Sequence, residues 1–217
     1  VEAVLRQADA LMEAHPDSAF SLLDSLHYRL PMSRQETARY ALLLAKATNK
    51  TYRPLVPCDS LLDIALNYYK KNSPDRATAL LYKGRFEEEM GQTEKAIELL
   101  QEGLLIVQLD SDSSTIETKK HLLSSLANLY GDAGYYEKSL ATYKDLYKIS
   151  SKESDKASAL TGLAFYYTAI EKPDSAMYYD YEALKHSYLS KDSLLISNLE
   201  HNLTERPVDD KENRGEK

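Results

Sequence analysis

The sequence predicts an all-α fold, a right-handed α–α superhelix of about five helix pairs followed by a terminal helix. First, a sequence motif typical of a helix start recurs five times. Its copies are 42, 35, 43 and 37 residues apart when they are aligned on Ala19, Leu61, Ala96, Ser139 and Ala176. Periods of this size mark stacked helical repeats. Second, apolar residues recur near the 3.6-residue helical period. Third, all seven prolines fall at predicted helix ends or turns. We therefore expect eleven helices and no sheet.

The spacing of the repeated helix-start motif also predicts the organisation of the chain. The helix pairs are expected at 1–31, 34–73, 77–110, 117–152 and 157–190, with the terminal helix at 191–203. Residues 1–204 would then form one solenoid, because each repeat packs only on its neighbours. The segment 205–217 follows as a tail. Eight of its last twelve residues are charged and none is aromatic, a composition typical of disorder.

The third repeat shows the internal pattern of a pair most completely. Gly84 and Ala96 are small residues at the places where two helices would cross, which lets their backbones approach. Gly91 stands between the two helices, where a tight turn is required. Larger apolar residues surround these positions at helical spacing. The repeat therefore predicts a helix, a short turn and a second helix packed on the first.

The other elements repeat parts of this pattern. In chain order, the residues that carry it are Ala19, Leu23 and Pro31 in the first pair; Ala38, Leu44 and Ala45 in the second, with a turn lengthened over 51–57; Ala127, Tyr130, Gly134, Ser139 and Tyr143 in the fourth; Leu163, Ala164, Tyr167, Ala176 and Ala183 in the fifth; and Leu194, Leu195, Ile196, Leu199 and Leu203 in the terminal helix.

These residues resemble the tetratricopeptide repeat (TPR) family, whose unit of about 34 residues forms two antiparallel helices. The resemblance extends over residues 1–190, although Leu80, Leu123 and Leu160 replace the family's early tryptophan. It implies a concave face formed by the first helix of each pair. On that face the resemblance places three columns: Lys46, Arg85, Asn128 and Phe165; Leu42, Leu81, Ser124 and Thr161 one turn earlier; and Asn49, Glu88, Gly131 and Thr168 one turn later.

The concave face is the predicted binding site for a protein or peptide. Lys46, Arg85 and Asn128 can hold a carboxylate or an acidic peptide through charge-assisted hydrogen bonds. The alternative is that these charges are only solvated. The 17 tyrosines leave a similar choice, since they either fill aromatic positions between helices or line the groove.

Composition argues against several other classes of function. A net charge of −7 and a pI near 5.3, without a basic stripe, argue against nucleic-acid binding. The single cysteine, Cys58, excludes an internal disulfide. Glycine-rich phosphate loops, nucleophile elbows and zinc-protease motifs are absent from the sequence. We therefore expect no catalytic site, no metal site and no cofactor. An enzyme centred on His121, Asn128 and Asp132 is held as a reserve hypothesis.

The ends of the sequence bear on location. No apolar run is long enough to span a membrane, and we expect no membrane contact by this segment. The chain begins at Val1 and enters a predicted helix at once, so we expect that a signal sequence, a lipid-anchor segment or a tag preceded it. Residues 8–70 resemble bacterial membrane-tethered repeat proteins, which implies a periplasmic or membrane-anchored location. The alternative function is accordingly a sensory or dimerising extracytoplasmic segment of a larger membrane-tethered transcriptional regulator, used in signalling.

Overall fold

The fold is known from a computed structural model that describes residues 1–26, 31–108 and 113–205. Its α-helices are α1 (Glu2–Leu11), α2 (Pro16–Leu26), α3 (Arg34–Lys50), α4 (Asp59–Tyr68), α5 (Pro74–Glu89), α6 (Thr93–Gln108), α7 (Ser113–Asp132), α8 (Tyr136–Ile149), α9 (Glu153–Ala169), α10 (Pro173–Ser190) and α11 (Ser193–Glu205). A short 3₁₀ helix, Val56–Cys58, precedes α4. The prediction of eleven helices and no sheet is confirmed for these residues.

Side-chain hydrogen bonds cap the starts of α3 and α5. At α3, the Ser33 hydroxyl accepts from the Glu36 N–H at 3.2 Å, and the Glu36 carboxylate accepts from the Ser33 N–H at 2.9 Å. This reciprocal capping box satisfies two donors that the helix leaves unpaired. At α5, the Ser73 hydroxyl accepts from the Arg76 N–H, and Pro74 occupies the first helical position.

The helices form two compact units, and the division falls inside α7, between Leu129 and Tyr130. The single solenoid expected over 1–204 stays a prediction. Most of the predicted tail, 206–217, lies outside the described residues.

Unit 1, Val1–Leu129, contains consecutive helices packed as pairs: α1 on α2, α3 on α4, and α5 on α6. Gly84 lies at the crossing of α5 and α6, where an added Cβ would stand 2.8 Å from Leu100 Cγ. Leu100 and Ala96 are fully buried. The small residue is therefore required at this crossing, as the sequence predicts.

Unit 2, which begins at Tyr130, packs α9 against both α8 and α10. Two glycines make room for tyrosine rings there. A Cβ on Gly131 would lie 2.0 Å from Tyr166 Cε1, and a Cβ on Gly162 would lie 2.3 Å from Tyr143 Cε1. The two rings are 5.9 Å apart, so glycine and tyrosine together form the centre of this unit. Gly131, which the TPR resemblance places on the concave face, is in fact buried beneath an aromatic ring.

Candidate functional site

The candidate site in unit 1 is centred on Arg85 of α5. Its Nε donates to Ser125 Oγ on α7 at 3.1 Å, and its Nη1 donates to Asn49 Oδ1 on α3 at 2.9 Å. The half-buried guanidinium also lies 5.9 Å from the centre of the Tyr82 ring. Desolvation lowers the pKa of Arg85. One side chain thus joins three helices, and we call the surface formed by Lys46, Asn49, Arg85, Ser125 and Asn128 the α3–α5–α7 face.

The cations at the α1 side of this face are already paired. Glu13, two residues after the end of α1, pairs with Lys46 Nζ at 3.0 Å and with Lys50 Nζ at 2.7 Å. The hydrogen bonds from Lys50 and then Lys46, aided by their charges and opposed by partial burial, lower the pKa of Glu13 to about 2. Lys46 therefore meets a carboxylate of the protein itself, and an acidic ligand at that position would compete with Glu13.

The remaining predicted contact residues differ in accessibility. Leu42 and Leu81 are only 8% and 1% exposed, so they support the surface rather than meet a partner. Ser124 is half-buried, whereas Glu88 and Asn128 are exposed. The structure thus places Asn49 and Arg85 in direct contact. The two exposed residues lie on different helices, Glu88 on α5 and Asn128 on α7.

Apart from Gly131 on α7, the residues predicted in unit 2 lie on α9. Phe165 is 62% exposed, and its ring meets the Tyr166 ring edge-on at 4.9 Å. Thr161 is half-buried and Thr168 is exposed, and the hydroxyls of both donate to carbonyls one turn earlier, Ala157 and Ala164. Both hydroxyls are thus used within the helix, and the exposed apolar ring is the main feature offered to a ligand.

A pocket of about 500 Å³ opens beside the α3–α5–α7 face. Its lining residues are Asp9, Gln35, Arg39, Leu42, Leu43, Lys46, Tyr68, Tyr69, Asp75 and Thr78. Burial, together with the nearby charge of Asp75, raises the pKa of Tyr69 to about 12. Burial also raises the pKa of Asp75. Two predicted residues, Leu42 and Lys46, therefore share a cavity that also has tyrosine walls.

This aromatic wall is not among the residues predicted for the concave face. The Tyr68-Tyr69 pair is visible in the sequence, but it belongs to the end of α4, whereas the TPR resemblance assigns the binding face to first helices such as α3 and α5. The signal that could have found it is the pair itself, since tyrosine is enriched at binding surfaces. Its position beside α3 depends on how α4 packs. The periodicity of a single helix does not predict that packing.

Three observations bear on the reserve hypothesis of an enzyme. Desolvation and the positive charge of Arg85 lower the pKa of His121 to about 4, so its imidazole is neutral at pH 7. Asp132, within unit 2, accepts a hydrogen bond from the Tyr166 hydroxyl at 3.0 Å. In the part of the chain that the structure describes, no group of three or more His, Cys, Asp or Glu side chains is arranged to hold a metal ion.

Solved structures share this architecture. A Podosopora anserina protein described as a kinesin light chain with nearly identical TPR-like repeats aligns with a TM-score of 0.65 and 16% identity, over 88% of this chain and 96% of its own. A chain of the APC/C hetero-tetramer Cut9–Hcn1 gives 0.72 and 17%, over 94% and 36%. The tetratricopeptide repeat sensor protein of Pyrococcus horikoshii, a signal transduction ATPase of the STAND class, gives 0.70 and 16%, over 91% and 31%.

These likenesses establish the fold alone, because sequence identity is low. The chain has the fold of a TPR-like solenoid, which confirms the predicted fold class and the resemblance at the level of architecture. It spans about a third of the length of the last two proteins. No protein-family model matches the sequence, and no curated protein is significantly similar to it. Among the described residues, no helix is long and apolar enough to cross a membrane.

Proposed function

We propose that this protein is a non-catalytic module that binds a protein or peptide through the α3–α5–α7 face. The observation that carries the proposal is the connection Asn49–Arg85–Ser125, which holds polar groups from three helices in one fixed arrangement. A preorganised surface of this kind loses little side-chain entropy when a ligand is bound. The TPR-like fold supports the proposal by analogy, since the Cut9 structure is titled as an assembly with Hcn1.

The chemistry of the face favours a peptide with mixed polar groups. Arg85 donates hydrogen bonds to two neutral partners, Asn49 and Ser125, and these bonds hold its guanidinium in place. Because Arg85 is half-buried, its positive charge is less solvated than that of a surface arginine. The neighbouring pocket adds apolar and tyrosine walls in which a ligand side chain can be buried. A peptide that places a carboxylate or carbonyl near Arg85 and a side chain in the pocket would use both features.

The test is a selection of peptides from a random display library on the whole chain, followed by affinity measurements on variants. The triple variant Lys46→Ala, Arg85→Ala, Asn128→Ala should weaken the selected peptides at least about tenfold, which corresponds to 1.4 kcal/mol. The matched control is Arg34→Ala, Asn67→Ala, Lys71→Ala, which removes the same kinds of group from exposed positions outside the face and the pocket. Circular dichroism checks that both variants keep their helices.

Equal weakening by the two triple variants would contradict the proposal, because the effect would then follow from charge or stability alone. Selected peptides that bind both variants as they bind the wild type would move the site to another surface.

A further inference from the structure

A second surface lies in unit 2, where the turn after α7, the start of α8 and the end of α9 enclose an open groove of about 620 Å³. Its lining residues are Gly134, Tyr135, Tyr136, Glu137, Lys138, Leu140, Tyr167, Ile170 and Lys172. None of the residues predicted for the concave face is among them. We call this surface the tyrosine groove.

The aromatic walls of the tyrosine groove are held in place by their own contacts. The Tyr167 ring stacks on Tyr179 of α10 at 5.2 Å, with an angle of only 10° between the rings. The Tyr136 ring lies 6.4 Å from the buried Tyr166. Tyr135, at the mouth, is 54% exposed. A ligand side chain would therefore meet two fixed rings and one ring with a large open surface, and little ordering would be needed on binding.

The charged residues that line the groove are two lysines and one glutamate. Lys138 Nζ lies 5.2 Å from the centre of the Tyr135 ring and 5.5 Å from that of Tyr130, which places the ammonium over the aromatic mouth. Lys172 lines the groove as well, and Glu137 is the acidic residue in its lining. Lys144 Nζ stands 3.4 Å from the Tyr167 hydroxyl. The lining therefore has a net charge of +1, on a chain with a net charge of −7.

We propose that the tyrosine groove binds an acidic segment of a partner protein. An aromatic or apolar side chain of that segment would lie between Tyr135, Tyr136 and Tyr167, and neighbouring carboxylates would pair with Lys138 and Lys172. Aromatic rings supply contact area at a low entropy cost, and complementary charge supplies specificity and a fast encounter. This surface is separate from the α3–α5–α7 face, and its occupant is recognised by different chemistry.

Fluorescence anisotropy with synthetic probes tests the proposal on the whole chain. The acidic probe carries a tryptophan flanked on each side by two glutamates, and the neutral probe has glutamines in their place. We expect saturable binding of the acidic probe, at least about tenfold tighter than that of the neutral probe, and weaker at higher salt concentration because exposed charge pairs are screened. No saturable binding, or equal binding of the two probes, would overturn the proposal.

Variants assign the binding to the groove. Lys138→Gln with Lys172→Gln should weaken the acidic probe by about tenfold, and Tyr135→Ala should weaken both probes. The matched control is Lys148→Gln with Lys152→Gln, two exposed lysines outside the lining of the groove. Lys148 lies in the last turn of α8, about 15 Å from Lys138 along the helix, and Lys152 directly precedes α9. An equal effect of the control pair would show non-specific attraction and would refute the site.

Failure of the tyrosine-groove proposal can be distinguished from failure of the proposed function at the α3–α5–α7 face. The triple variant of the α3–α5–α7 face should bind the acidic probe as the wild type does. Loss of probe binding in that variant alone would place the acidic segment on unit 1 and overturn the inference.

Discussion

At the residue scale, two kinds of residue determine how this chain packs. Glycines stand where a neighbouring side chain occupies the space of a Cβ, as at Gly84 and Gly131. Charged residues stand where a helix meets the next one, as at Glu13 and Arg85. The first kind sets the distance between helices, and the second sets which polar groups remain for a ligand. Each leads to a measurable consequence.

The glycine at position 131 should be essential to the packing of unit 2. In Gly131→Ala the added methyl group would overlap the Tyr166 ring, so we expect the free energy of unfolding to fall by about 1–3 kcal/mol. Urea unfolding of the wild type and the variant measures the change. In a Tyr166→Ala background the ring is absent, and Gly131→Ala should then be neutral or stabilising because alanine favours helix. A similar loss in both backgrounds would contradict the assigned contact.

The Glu13 carboxylate should make stability depend on pH in the acidic range. Its folded pKa of about 2 lies below the ordinary value of 4.5, so its ionised form stabilises the fold above about pH 4.5 and this contribution is lost as the pH falls toward 2. Because the side chain is 71% exposed, solvent screening limits the effect to about 0.5 kcal/mol. Urea unfolding should therefore show Glu13→Gln less stable than the wild type at pH 6, with the difference vanishing near pH 2. A difference that persists at low pH would point to packing instead.

At the element scale, one turn geometry follows five helices. Within two residues of the helix end, one residue has a positive φ, with values from 55° to 81°; these residues are Tyr52, Gly91, Gly134, Glu171 and Lys191. In each turn two N–H groups bond back to the helix, as when the Gln92 N–H donates to the Glu87 carbonyl at 2.8 Å and the Gly91 N–H donates to the Glu88 carbonyl at 2.9 Å. This Schellman geometry favours glycine, and three of the five turns keep another residue.

Replacing one of those three residues with glycine should stabilise the fold. Glu171 is exposed and has φ of 57°, so Glu171→Gly relieves a left-handed conformation that is unfavourable for residues with a Cβ. We expect the free energy of unfolding to rise by about 1 kcal/mol. Lys172→Gly, one residue later and at φ of −113°, is the control and should give no gain. A fall in the melting temperature of Glu171→Gly would show that the glutamate side chain stabilises the turn in another way.

At the scale of the whole molecule, the all-α architecture follows from the sequence, but the pairing of its surface groups does not. Helix number, the crossing at Gly84 and the turns at Gly91 and Gly134 are visible because periodicity, residue size and backbone freedom are local properties. The left-handed turn at Glu171 contains no glycine from which the sequence could predict it. Glu13 and Lys46 are 33 positions apart in the chain, so their pairing depends on stacking that no single helix encodes.

The central claim is that the α3–α5–α7 face binds a peptide, and an NMR titration tests it most directly. A display-selected peptide would be added to the isotopically labelled whole chain while backbone amide shifts are followed. The account predicts that the largest saturable shifts fall on α3, α5 and α7 around Asn49, Arg85 and Asn128. It also predicts that the shifts are lost in the triple alanine variant. Saturable shifts concentrated on α2, α4 and α6, with these three positions unperturbed, would contradict the claim.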